Sequence, residues 1–248
     1  MVTLDNLTVS YRQHPALHHI SGRFAAGSLT AVIGPNGSGK STLLKSIMGL
    51  VRLSGGRIQV QEARQRIAFL PQLSEIDRSF PMVVQDMVLL GAWGALGAWG
   101  GVDSAWLARA QAAIQAVGLQ GFEARPVGTL SSGQFQRVLF ARLILQDADL
   151  VLLDEPFAAL DSRTTESLLT LIHQWHAQGR TVVAVVHDDA QVHAHFEQTV
   201  LLARELVAWG PTAQVLTDAN LQRARLLAEA WDDQAELCHA DESPAGAP

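Results

Sequence analysis

The chain has 248 residues, 48% hydrophobic and 17% charged, which suits one large folded domain with room for an inserted lobe and excludes a disordered protein. Its formal charge of −6 gives no electrostatic footprint for nucleic acid. Cys238 is its one cysteine, which excludes an internal disulfide framework and fits a reducing cytoplasm.

The first residues, MVTLDNLTVSYRQ, have no basic start followed by an apolar core, so no secretion signal is expected. Val2, Leu4, Leu7 and Val9 alternate with polar residues and read as a half-exposed strand that ends at Tyr11, before the polar break Arg12 to Pro15. The Tyr11 ring either stacks on a nucleotide base or covers the rim of the core. Leu29 to Ile33 reads as a buried strand. It enters Gly34-Pro35-Asn36-Gly37-Ser38-Gly39-Lys40-Ser41-Thr42, which fits the phosphate-binding pattern G-x-x-x-x-G-K-[ST], and a helix is expected over Ser41 to Leu50. The glycines let successive N–H groups turn inward as a nest for phosphate oxygens, and the helix N-terminus adds partial positive charge. Lys40 reaches the outer phosphates and the Ser41 hydroxyl holds Mg²⁺. This loop reads as a nucleoside triphosphate site.

Two short strands follow, around Arg57 to Val60 and Ile67 to Leu70. Gln72, at a loop entrance, either completes a metal shell through its carbonyl or is an ordinary surface glutamine. From Ser79 to Thr129 the pattern becomes helical, with Val83 to Leu90 and Ser104 to Val117 as helices of an inserted lobe. Met87 to Val102 is a long uncharged stretch, but it is short for a membrane span and carries five glycines. A soluble protein is expected, serving a membrane only by docking. Gly91 to Gly101, with Trp93 and Trp99, is too glycine-rich for a stable helix and reads either as a contact surface or as rings folded back on their own helices.

Leu130-Ser131-Ser132-Gly133-Gln134 opens a helix expected over Phe135 to Leu145. Its hydroxyls form a second anion site or a plain N-cap. Asp149 to Pro156 reads as a central buried strand that ends in adjacent carboxylates: Asp154 placed to hold Mg²⁺, Glu155 placed to orient or deprotonate the attacking water. After Asp161 come a helix over Ser162 to Gln178 and a strand over Thr181 to Val186. His187 at that strand's end faces the ligand crevice of an open α/β sheet and is placed to hydrogen-bond a γ-phosphate. A hairpin about Ala203-Arg204-Glu205 and helices over Thr212 to Leu216 and Leu221 to Trp231 complete the scaffold. The acidic end, Asp232 to Pro248, reads as disordered. His173 with His176, His193 with His195, and Cys238-His239 have metal-ligand spacings without a third ligand, and read as solvated surface groups.

Taken in order, these pieces resemble the nucleotide-binding subunit of an ATP-binding cassette transporter, over about residues 2 to 230. Tyr11 matches the adenine-stacking aromatic and GPNGSGKST the phosphate loop. Gln72 matches the Q-loop, Leu130 to Gln134 the signature, Leu150 to Glu155 the magnesium strand with its catalytic glutamate, Ala158 to Asp161 the D-loop and His187 the switch histidine. The resemblance implies an α/β P-loop NTPase core with an antiparallel β edge subdomain and an inserted α-helical subdomain. It implies a single ATPase domain over 1–235, with 1–78 and 130–235 as core and β subdomain, 79–129 as the helical subdomain and 236–248 as a disordered tail. It further implies ATP and Mg²⁺ as cofactors and a homodimer closed head to tail on ATP. In that dimer the loop of one chain meets Ser131, Gly133 and Gln134 of the other, and Asp161 of the D-loop counts among the nucleotide-binding residues. The partners it implies are two integral-membrane permease subunits and, indirectly, a periplasmic or extracellular solute-binding protein. The location it implies is cytoplasmic, on the inner face of the membrane.

Two departures stand out. LSSGQ replaces the usual LSGGQ, with function expected to be retained and closure slowed, and the link from Gly56 to Gln72 is short, which predicts a trimmed edge sheet. Phe80 to Asp86, Phe135 and Phe157 are similar to zinc and manganese importer subunits, with siderophore or haem importers as nearest rivals. The non-transport members of the superfamily, in DNA repair or translation, usually need a long coiled-coil insertion or a second cassette, and this chain has neither.

Overall fold

Apolar strands without alternation need cover on both faces, and that need sets the architecture. The computed structural model describes residues 1–12, 14–97, 100–158 and 160–233. Strands β1 (Val2–Tyr11), β2 (His14–Phe24) and β3 (Leu29–Ile33) lead into helix α1 (Lys40–Ile47). Next come β4 (Gly55–Val60), β5 (Ile67–Leu70), α2 (Val84–Leu89), α3 (Trp93–Leu96), α4 (Ser104–Ala116) and α5 (Ser132–Gln146). The chain continues with β6 (Leu150–Asp154), α6 (Ser162–Ala177), β7 (Thr181–Val185), α7 (Asp189–His195) and β8 (Gln198–Ala203). It ends in β9 (Glu205–Pro211), α8 (Thr212–Val215) and α9 (Asp218–Asp233).

One sheet has the order β5-β6-β7-β3-β8-β9 and is parallel except for β9, which runs antiparallel to β8. The other, β2-β1-β4, is antiparallel. Alternate residues of the parallel strands enter different cores. Ala31, Ile33, Val151 and Leu153 face the side of α2, α4, α5 and α6, while Val32, Leu150 and Leu152 face α1 and the three-stranded sheet. Phe140 of α5 stacks on Trp175 of α6 at 5.8 Å between ring centroids. A buried aromatic of this kind contributes about 3–5 kcal/mol relative to alanine. Register matters most for function: Val32 pairs with Val185 and Asp154 with Val185, so the residues after β3, β6 and β7 emerge along one edge.

The structure revises several expectations. Strand β2 was not foreseen, and neither was α7, which Asp188 caps by accepting from Ala190 and Gln191. Helix α1 stops at Ile47 instead of Leu50, because Met48 caps it and Gly49 turns the chain with φ +68°. Helix α5 starts at Ser132, not Phe135, under a reciprocal cap between Ser131 and Gln134. Helix α9 continues to Asp233, past the expected boundary at Trp231, and residues 236–248 lie outside the described residues.

In the glycine-rich segment, a 3₁₀ turn over Leu90–Ala92 and one helical turn, α3, do form. Gly91 serves close approach here. A Cβ on it would lie 2.3 Å from the Arg142 carbonyl oxygen, so this backbone rests directly on α5. Trp93 is 61% exposed and does not fold back, while Trp99 lies outside the described residues. His173 and His195 are not simply solvated: their rings meet with Nε2···Nδ1 at 3.1 Å across α6 and α7. Among the described residues no three His, Cys, Asp or Glu side chains are grouped to hold a metal. Cys238 and His239 lie outside the described residues. No described helix is long and apolar enough to cross a membrane.

Candidate functional site

The loop after β3 owes its shape to three glycines with positive φ, Gly34, Gly37 and Gly39. Gly39 is the N-cap of α1 at φ 92°, and a Cβ there would lie 2.3 Å from the Ala16 carbonyl oxygen. No side chain caps α1, and the backbone N–H groups of Gly37, Gly39, Lys40 and Ser41 have no acceptor among the described residues. Four free donors at a helix N-terminus make an anion site. Pro35 accepts from the Ser38 amide, the buried Ser38 hydroxyl has no partner, and Asn36 is exposed at the tip. The Thr42 carbonyl accepts from Ser46 within α1. Lys40 is buried and its Nζ donates to the carbonyls of Gly34 and Pro35, each at 2.8 Å, which leaves one N–H for a ligand. Burial pulls the Lys40 pKa down, partly offset by attraction from Glu155 and Asp154.

A continuous polar chain runs beside the loop. The Ser41 hydroxyl donates to Asp154 Oδ1 at 3.0 Å and accepts from Gln72 Nε2 at 3.1 Å. The same Gln72 nitrogen donates to Glu155 Oε1 at 2.9 Å, and His187 Nε2 meets that oxygen at 2.8 Å. Five residues from four separate segments are thus linked, each at a strand end or helix start. Glu155 takes φ +50°, unusual for a side chain of its size, and this bend turns its carboxylate away from Asp154 toward Gln72 and His187. Gln72 presents its amide nitrogen here, so it acts as a donor; offering its carbonyl to a cation requires turning the amide over.

Asp154 has no exposure, and its Oδ2 is buried without a partner. Desolvation holds its pKa above the usual carboxylate range, and the Ser41 hydrogen bond opposes that only in part. An orphaned carboxylate oxygen beside a serine hydroxyl is a hard-oxygen donor set that fits Mg²⁺. A carboxyl with a raised folded-state pKa contributes stability at low pH, and this is lost as pH rises through that value. Asp154→Asn is therefore expected to raise the melting temperature of the nucleotide-free protein at neutral pH, by about 1–3 kcal/mol of stability. The gain should vanish below about pH 4, where an ordinary carboxyl is protonated. Thermal melts across pH check this, and a variant less stable at pH 7 sinks the argument.

The remaining expected residues stand apart. Tyr11 lies at the end of β1, 49% exposed. Ser131, Gly133 and Gln134 form the start of α5, Ser131 exposed and the other two half-buried, where Ser131 Oγ accepts from the Gln134 amide and Gln134 Oε1 accepts from the Ser131 amide. No hydrogen bond among the described residues joins them to the phosphate loop. Asp161 caps α6 by accepting from the Thr164 amide and hydroxyl, bonds that hold its pKa down. Two supporting residues had no local signal. Buried Gln136 of α5 donates to the Pro156 carbonyl at 2.9 Å, fixing the turn after Glu155. Arg78 donates to the carbonyl of Leu130, the first residue of the signature, and lies over the Phe135 ring.

Comparison with known proteins agrees with this geometry. The family model described as ABC transporter matches residues 17–158. The zinc transport system ATP-binding protein TroB of Treponema pallidum is 41% identical over 228 residues, covering 90% of this chain and 86% of TroB. The manganese transport system ATP-binding protein MntB of Bacillus subtilis is 40% identical over 227 residues, covering 90% and 91%. Among solved structures, an inward-facing metal-chelate type ABC transporter superposes with a TM-score of 0.81 at 31% identity, covering 91% of this chain and 88% of that one. A dimeric bacterial ABC transporter cassette superposes at 0.76 with 26% identity, covering 86% and 99%. This chain belongs to the ABC transporter family, as an ATP-binding, ATP-hydrolysing cassette.

Proposed function

We propose that this chain is the ATPase of an importer for a divalent transition metal, zinc or manganese. The observation that carries the cargo is the similarity, at 41% and 40% identity over nine-tenths of the chain, to subunits of a zinc and a manganese transport system. Phe80, exposed, and Phe135, buried, bear on partner surface and packing, so cargo selection rests with other subunits.

In the proposed reaction the free N–H groups of the loop and Lys40 bind the ATP phosphates, with Gly34 to Thr42 as the cradle and Tyr11 stacked on the adenine. Ser41 and Asp154 would hold Mg²⁺, with Gln72 as a further ligand if its amide is turned over, and the ion would supply positive charge against the outer phosphates. Glu155 takes a proton from the attacking water, while Gln72 and His187 hold its carboxylate from two sides. His187, 44% exposed, also has room to meet the γ-phosphate. Two copies close head to tail, so that Ser131, Gly133 and Gln134 of one complete the site of the other beside Asp161. The exposure of Ser131 and Asp161, and the dimer seen in a cassette 26% identical to this one, support that arrangement. Residues 1–78 and 130–235 act as core and β subdomain and 79–129 as the helical lobe.

The proposed partners are two permease subunits, which hold the cassette at the inner face of the membrane, and indirectly a solute-binding protein. The docking site is the groove beside Gln72 and Trp93. A large exposed aromatic at a groove rim is the kind of residue that anchors an interface. Trp93→Ala is expected to weaken binding to the permease about tenfold or more, with the ATPase rate of the isolated cassette unchanged. Pull-down and phosphate-release assays on one preparation measure both, and full retention of the permease would remove Trp93 from the interface.

The cargo is tested by total cell metal. A strain lacking the gene, grown under chelation, is expected to lose zinc or manganese selectively, with recovery on wild-type protein but not on Glu155→Gln. Unchanged zinc and manganese would remove the metal-ion assignment. Loss of iron alone would favour an iron-chelate importer, the second reading, which the 31% identical metal-chelate type transporter supports.

A further inference from the structure

A groove of about 650 Å³ opens between the end of α1, strand β5 and the turn that carries Trp93. Its apolar rim is exposed at Leu50 (55%), Leu90 (41%) and Trp93 (61%). Three cations line it, Lys45, Arg64 and Arg142, against one carboxylate, Glu75. Glu75 is spent, because its Oε1 meets Lys45 Nζ at 2.5 Å. Arg64 and Arg142 have no carboxylate partner among the described residues. A chain of formal charge −6 therefore keeps a cationic groove.

Arg142 is the costly member. Its Nη2 donates to the Phe69 carbonyl at 3.1 Å and its Nε is buried without a partner. Desolvation is the one influence that moves its pKa, downward, with no nearby acid to oppose it. A guanidinium largely removed from water with no counter-charge is unfavourable, and the deficit is met when a carboxylate arrives.

We propose that the permease helix seated in this groove presents an aspartate or glutamate to Arg142, with Arg64 attracting it at the rim. This rests on the docking reading above and adds the chemistry of the contact. An apolar face flanked by one acid fits a groove with apolar edges and a cationic wall. The contact sits at a junction: Arg142 belongs to α5, whose cap is Ser131, and it holds the Phe69 carbonyl three residues before Gln72. One carboxylate there touches the supports of both the signature and the Q-loop.

The test uses the labelled full-length chain and vesicles of its native membranes, washed with urea to strip bound cassettes. Saturable binding of wild type is expected, weakened about thirtyfold by Arg142→Gln and less by Arg142→Lys. Arg64→Glu, at an exposed position, should also weaken binding without loss of thermal stability. Converting vesicle carboxylates to amides with carbodiimide and glycinamide should lower wild type to the level of Arg142→Gln and leave that variant unchanged. If Arg142→Gln melts early, Arg64→Glu and the carboxylate block decide the question. Wild-type binding by Arg142→Gln, with Trp93→Ala still weakened, overturns the acid contact and leaves the docking site standing. Equal binding to protein-free liposomes of the same lipids overturns it in favour of anionic lipid. Absence of saturable binding by wild type removes the docking reading itself.

Discussion

Glu155→Gln is expected to lower ATP turnover by a factor of about 10²–10⁴, the range general-base catalysis supplies, while ATP binding persists. The change keeps the shape of the side chain and the acceptor oxygen that now faces Gln72 Nε2 at 2.9 Å and His187 Nε2 at 2.8 Å. What it removes is the group proposed to take the proton from water. A cassette that binds but does not hydrolyse should stay closed on ATP. Phosphate release and light scattering with Mg-ATP together measure this, with a long-lived dimer as the expected species. Hydrolysis at the wild-type rate would falsify the role given to Glu155 and pass it to another base, with His187 the first to examine.

Lys40→Ala is expected to cost about ten- to a hundredfold in ATP affinity, since a charge-assisted hydrogen bond to phosphate contributes about 1.5–3 kcal/mol. The loss has two origins. The ammonium proposed to meet the phosphates disappears, and the carbonyls of Gly34 and Pro35 lose the donor that now closes the loop at 2.8 Å. Because burial lowers the Lys40 pKa, wild-type affinity should begin to fall at a less alkaline pH than an ordinary lysine would give. Titration with a fluorescent ATP analogue from pH 7 upward checks both points. Unchanged affinity in the alanine variant would contradict the assignment of the loop.

The parts of this molecule that were legible in the sequence are those whose signal is local. Leu29 to Ile33 and Ile67 to Leu70 read as strands because a short apolar run between turn residues has few other uses, and the phosphate loop is contiguous. Strand β2 was not legible. Its buried residues, Pro15, Leu17, Ile20 and Phe24, break the spacing of two, because the β1–β2 pairing shifts register three times and His19 takes φ +52°. Helix α7 buries only Val192, too little for a period to show. Within the site, Asp154 and Glu155 could be named from their place at a strand end. That one Glu155 oxygen bridges Gln72 and His187 depends on side chains 83 residues apart in one of those contacts, and no local pattern encodes it. The exposure of Trp93 and the meeting of His173 with His195 are likewise tertiary facts.

The backbone of Glu155 carries a consequence for how this protein can change. At φ +50° a glycine or asparagine is at ease and a glutamate is strained, by about 1–3 kcal/mol where a residue is held in so sparse a region. Selection for thermal endurance alone would therefore push this position toward the smaller residues, and each such step would discard the carboxylate. Robustness and turnover pull in opposite directions at a single residue, so a hardier descendant of this chain must find its added stability elsewhere.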